Sequence, residues 1–165
     1  MHRIYFEYFP RKSGEREEVI TCSIRKGDVV VQEIFSQEHT VFRVIEWLND
    51  NWQAILNEVP PTFLPEADSY CEADRNCRDT WPDDWEDGSD LERLIEEQYD
   101  VLYWYIQRHN IGVSFSGTNV PGIFLGLYKG TLTASWQANG VSYSYEIEPR
   151  IEIKNRLDNS TVVYE

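Results

Sequence analysis

The chain has 165 residues, 41% of them apolar and 14% aromatic, which is too rich for disorder and enough for one domain to bury a core without staples. Its net charge of −14 argues against nucleic acid and anionic membrane surfaces as direct ligands, because lysine and arginine hold both. No stretch approaches the ~18 consecutive apolar residues of a membrane span, and three cysteines behind a start with no leader-like run point to free thiols in the cytoplasm.

Residues 3–9, 17–24 and 29–35 are expected to be strands: Ile4, Phe6 and Tyr8 alternate with Arg3, Glu7 and Phe9, and Val19, Thr21 and Ser23 with Ile20, Cys22 and Ile24. Pro10 to Gly14 and Lys26-Gly27-Asp28 supply the turns between them. From about Thr40 the period changes to 3.6. Val41, Val44, Ile45, Leu48, Trp52, Ile55, Leu56 and Val59 form one stripe, with Ser36 or Thr40 as cap and Pro60-Pro61 as the stop.

Residues 60–88 show neither period and hold four of the seven prolines, two cysteines, Trp81 and Trp85. They read as an acidic insertion loop, functional or partly disordered. Charge concentrates here: residues 66–100 carry 14 acidic and 3 basic side chains. Ser89-Asp90-Leu91-Glu92 is a capping box that opens a second helix, with Leu91, Leu94, Ile95, Leu102, Tyr105 and Ile106 as its stripe. Gln98 sits at the centre of that stripe and, if buried, needs partners for both ends of its amide. His109 suits the helix end, where the dipole favours a cation, and Gly112 suits the cap beyond it.

The remainder reads as a meander of strands at 123–128, 131–136, 141–147, 150–154 and 161–164, the last as an edge. Asn139-Gly140 is its strongest hairpin signal, and Pro149 is expected to break the run after Ile147. Segregated runs of strands and helices predict one α+β domain over residues 1–165. Its largely antiparallel sheet would have three N-terminal and four to five C-terminal strands. Two amphipathic helices would pack it, with the long acidic loop between them.

Motifs for chemistry are sparse. Cys71 and Cys77 are spaced C-x5-C, too far apart for the usual paired zinc ligands. A calcium-loop register begun at Asp83 places Asp87 and Gly88 correctly but puts Trp85 at position three and Leu94 at position twelve. There is no nucleophile elbow, no His-Glu-x-x-His and no nucleotide fingerprint, so no catalytic residue, metal or cofactor is assigned. What stands out is aromatic. Tyr103 and Trp104 project away from the second helix's stripe, and Phe42 and Trp47 do so to a lesser degree on the first. Either the acidic loop folds over them or they face a partner.

The residues Trp104, Arg108-His109, Gly112, Pro121, Ile123, Gly130 and Leu132-Thr133-Ala134-Ser135-Trp136 resemble a pattern in small acidic bacterial proteins of immunity and defence loci, some of them domains beside ImmA/IrrE-type metallopeptidases. The likeness covers about a fifth of the chain, and the peptidase zinc motif is missing, so it implies no proteolytic residue. The expected function is that of a protein-binding module, an inhibitor or immunity-like protein for a basic bacterial partner. Trp81, Asp83, Asp84, Trp85, Glu86, Asp87, Tyr103 and Trp104 are the candidate partner-binding residues. Three alternatives remain open: a DNA mimic, an enzyme or small-ligand domain with a site assembled from distant residues such as Arg108 and His109, and a structural subunit of a larger defence complex.

Overall fold

A computed structural model describes residues 1–10, 18–82 and 89–165. The candidate residues Asp83, Asp84, Trp85, Glu86 and Asp87 lie outside the described residues, as does the first half of the calcium-loop register. The elements are β1 His2–Phe9, β2 Glu18–Lys26, β3 Val29–His39, α1 Val41–Asn57, α2 Tyr70–Asp79 and α3 Asp90–His109. A 3₁₀ turn, Ile111–Phe115, follows, then β4 Ile123–Tyr128, β5 Thr131–Ala138, β6 Val141–Asn155 and β7 Thr161–Tyr164.

The fold is α+β, with seven strands in one mixed sheet of order β3-β2-β1-β6-β5-β4, and β7 against β6. Every pairing is antiparallel except β1 with β6. Asn139 and Gly140 both take positive φ, as the tight turn between β5 and β6 requires.

Two of the expected element boundaries need correction. Pro149 does not break the last long run: β6 continues from Val141 to Asn155. The proline falls where β6 has left β5, whose last partner is Glu146, and where the β1 ladder shifts register between Ile147 and Ile151. Pro149 is paired with no residue of β1, β5 or β7, and a residue without an N–H is tolerated at such a position. Beyond it, β7 takes up the side of β6 that β5 vacates. The second correction is α2, which occupies ten residues of the segment read as loop. Ser69 caps it by accepting from the Glu72 backbone N–H at 3.2 Å.

The sheet buries one face under α1. Ile4 and Phe6 of β1, Ile20, Cys22 and Ile24 of β2, and Ile151 and Ile153 of β6 meet Val44, Leu48, Trp52 and Ile55. Thr40 is the N-cap residue, yet its side chain makes no cap bond. Glu18, from β2, accepts from the Val41 N–H at 2.8 Å instead. Trp47 also corrects the reading of α1, since it is buried to 8% exposure and donates its Nε1–H to the Gln107 carbonyl at 3.0 Å. The end of α3 runs along that flank of α1 and widens its buried stripe.

On β5, Ala134 and Trp136 point toward α1, so Ser135 points to the opposite face. There its Oγ accepts from the Cys71 N–H at 3.4 Å, which places α2 over the far side of the β4–β5 end. The far face of β1, β2 and β6 instead carries Arg25–Glu7–Arg156 and Arg3–Glu152–Arg150 ion pairs. No described helix reaches the length and apolarity needed to cross a membrane.

Candidate functional site

The last two turns of α3 are locked from three sides. His109 is fully buried and stacks on Tyr105 at 3.8 Å between ring centroids. Its Nδ1 lies 2.8 Å from the Leu125 carbonyl, which can only accept, so Nδ1 carries the ring proton and donates it. Nε2 faces Glu58 Oε2 at 3.2 Å, a contact that becomes a hydrogen bond only if Nε2 is protonated too. Burial pushes the His109 pKa below its ordinary value, while the Leu125 carbonyl and Glu58 pull it upward. Glu58 closes α1 and accepts from Arg108 Nε and Nη2 at 2.8 and 2.5 Å. That guanidinium holds its carboxyl below the usual range.

The sequence reading of His109 as a helix-end cation therefore misses its main role, which is to tie α3 to β4. Gly126 makes that approach possible, because a Cβ there would sit 2.6 Å from His109 Nδ1. Tyr70, from α2, completes the wall with its ring 5.0 Å from Tyr105 and 4.8 Å from Phe124. The void bounded by Tyr70, Tyr105, His109, Phe124 and Gly126 is about 10 Å³, room for a water and for no organic substrate. Burial also raises the pKa values of Cys22, Cys71 and Cys77, so none is primed as a thiolate nucleophile.

The other half of α3 is different in kind. Among its first twelve residues only Ile95 is buried, and Leu91 and Leu94, expected in the core stripe, are exposed. These turns run beyond the reach of α1 and β4, so the stripe there lacks a sheet to meet. It meets Trp81 instead. Gln98, expected to be buried at the stripe's centre, is half-buried and accepts from Trp81 Nε1–H at 3.3 Å. Tyr99 packs against the same indole with ring centroids 6.3 Å apart.

Tyr103 and Trp104 remain in water, at 44% and 60% exposure, in edge-to-face contact at 5.3 Å. Of the candidate partner-binding residues that are described, Trp81 lies against one flank of α3 and Tyr103 and Trp104 on its outer side. Tyr99, Val101 and Leu94 extend the exposed apolar surface, and Glu96, Glu97 and Asp100 surround it. The sequence reading passed over Tyr99 and Val101, although both lie within a turn of the residues it named.

Fold and surface together define an α+β domain with a locked interior and one acidic, aromatic helix face. No protein-family model, curated protein or solved structure matches the chain.

Proposed function

We propose that the chain is a protein-binding module, an inhibitor or immunity-like protein of the cytoplasm whose α3 face docks a basic bacterial partner. The observation that carries this reading is the exposed Tyr103–Trp104 pair on the outer side of α3, with Tyr99 on one flank, Val101 on the other and carboxylates among them. Tyrosine and tryptophan dominate binding hot spots because they bury much area with few rotors to freeze. The surrounding acid speeds encounter with a basic surface and rejects acidic ones. An enzyme built around Arg108 and His109 is disfavoured by the packing: the ring is walled in and the void beside it too small.

The test is capture from the native host with tagged protein, read by mass spectrometry beside a Tyr103→Ala/Trp104→Ala variant. A basic partner in near-stoichiometric amount, lost from the variant and weakened by salt, is expected. Equal capture by both forms, or none by the wild type, would sink the reading.

DNA mimicry is a second reading favoured by one feature. Glu92, Glu96 and Asp100 follow at one-turn intervals along α3, each step about 6 Å of helical rise. Under mimicry the captured partner is a nucleic-acid-binding protein and duplex DNA competes with the chain for it. Under ordinary complementarity DNA does not compete.

A further inference from the structure

The strongest unassigned feature is the cleft between Trp81 and α3. Trp81, Ile95, Glu96, Tyr99 and Asp100 line it, and its volume is about 640 Å³, within the range of ligand sites. Its floor is apolar: Ile95 is buried, and Trp81 and Tyr99 form a corner with their rings tilted 52°. Its rim is anionic, Glu96 and Asp100 standing one helical turn apart.

Three observations give this cleft a preference. First, two of the three carboxylates on α2 are matched, Asp74 by Arg78 at 3.2 Å and Glu72 by Arg75 at 3.7 Å. Glu96 and Asp100 have no ion-pair or hydrogen-bond partner among the described residues. Second, the indole is already placed: the Gln98 bond fixes its edge, so little ordering remains when a ligand arrives. Third, the indole already accepts a guanidinium, since Arg78 lies over the Trp81 ring at 5.6 Å. The negative face of an indole attracts a weakly hydrated planar cation, and two neighbouring carboxylates suit a donor fork better than a point charge.

We infer that the Trp81–Tyr99–Glu96–Asp100 cleft is a receptor for an arginine side chain presented by the basic partner. This rests on the protein-binding reading and gives it a chemical anchor. The guanidinium stacks on the aromatic corner and bridges the two carboxylates, while its methylene stem covers Ile95. The volume exceeds one side chain, leaving space for the residues that flank the arginine.

The probe is N-acetyl-arginine methylamide, titrated into the ¹⁵N-labelled full chain while the indole N–H signals of its six tryptophans are followed. The Trp81 signal is assigned with Trp81→Phe. Saturable movement of Trp81 is expected, with Trp136 in the core unmoved. The Glu96→Gln/Asp100→Asn variant should weaken binding about tenfold, on the order of a desolvated cation–π and ion-pair contact. The citrulline analogue, equal in shape and uncharged, should leave Trp81 in place. No movement of Trp81 at tens of millimolar arginine probe overturns the inference. So does equal movement with citrulline, or a lysine analogue that binds as well as arginine. The two readings separate cleanly. Trp104-dependent capture of a partner with an inert cleft removes the arginine receptor alone, whereas an arginine-binding cleft with no captured protein removes the module.

Discussion

One helix, α3, serves two ends. From Leu102 to His109 it is held by α1, β4 and α2 through Leu102, Tyr105 and His109, all buried. From Asp90 to Val101 it buries Ile95 alone and turns Leu94, Tyr99 and Val101 to water. The 3.6 period runs through both halves, with the polar Gln98 at the join. Periodicity shows which side of a helix is apolar; the length of that side that meets a core depends on where the sheet ends. The half that overhangs keeps its apolar residues for something else, and it is also the half that carries Glu96, Glu97 and Asp100.

The largest expected effect sharpens this division at its boundary. Trp47 links α1 to the locked half, filling space in the core and donating to Gln107. Trp47→Ala should cost about 3–5 kcal/mol, as deletion of a buried tryptophan does. Urea unfolding measures it, and a loss below ~1 kcal/mol would mean that α3 does not close against α1. Gly126→Ala comes next. Its Cβ would drive His109 off the Leu125 carbonyl, an overpacking that should cost about 1–3 kcal/mol. An unchanged unfolding midpoint would show that the His109 contact is slack.

The legible part of this architecture was local. The strands β1 to β3, the Ser89 cap and the Asn139-Gly140 turn are each decided within a few residues, and each is present. α2 escaped because its apolar side is made of Tyr70, Cys71, Ala73 and Cys77, a weak stripe between prolines. A signal was there nonetheless, since Ser69-Tyr70-Cys71-Glu72 has the capping-box pattern used to find α3. Trp47 and Trp104 both looked off-stripe, and only tertiary packing tells the buried one from the exposed one. The Glu58–Arg108–His109 lock joins residues about fifty positions apart, and the parallel pairing of β1 with β6 spans nearly the whole chain. No window of sequence contains either.

A smaller effect follows from protonation in the locked half. His109 is faced by Glu58 from the end of α1, by Arg108 and Tyr105 on its own helix and by the Leu125 carbonyl on β4. With its folded pKa below the ordinary value of about 6.5, the unfolded chain binds the proton first as the pH falls. Stability is therefore fully present above about pH 6.5 and declines below it until the folded ring also protonates. Glu58 acts in a lower window. Its folded pKa is depressed, so its contribution is present above the ordinary glutamate value of about 4.3 and is lost as the pH falls through the depressed one. Melting curves between pH 8 and pH 5 should show a shallower decline for His109→Gln than for the wild type. Parallel profiles would place the titration elsewhere.

The smallest effect is the one that can break the comparison outright. Trp104 belongs to the same helix as Leu102 and is larger, yet 60% of its surface meets water. Its main described neighbour is Tyr103, itself exposed. Truncation removes little buried area and opens no cavity, so Trp104→Ala should change stability by no more than about 0.5 kcal/mol, as at ordinary surface sites. Measured beside Trp47→Ala in the same urea series, it sets two tryptophans of similar sequence context against each other. A gap of several kcal/mol is expected. If Trp104→Ala instead approached the cost of Trp47→Ala, the indole would be packed against the body of the protein in solution. The overhanging half of α3 would then be a second core, and the aromatic argument for a docking face would fall, leaving only the charge. A small cost, by contrast, makes any loss of capture in the Tyr103→Ala/Trp104→Ala variant a statement about contact and not about folding.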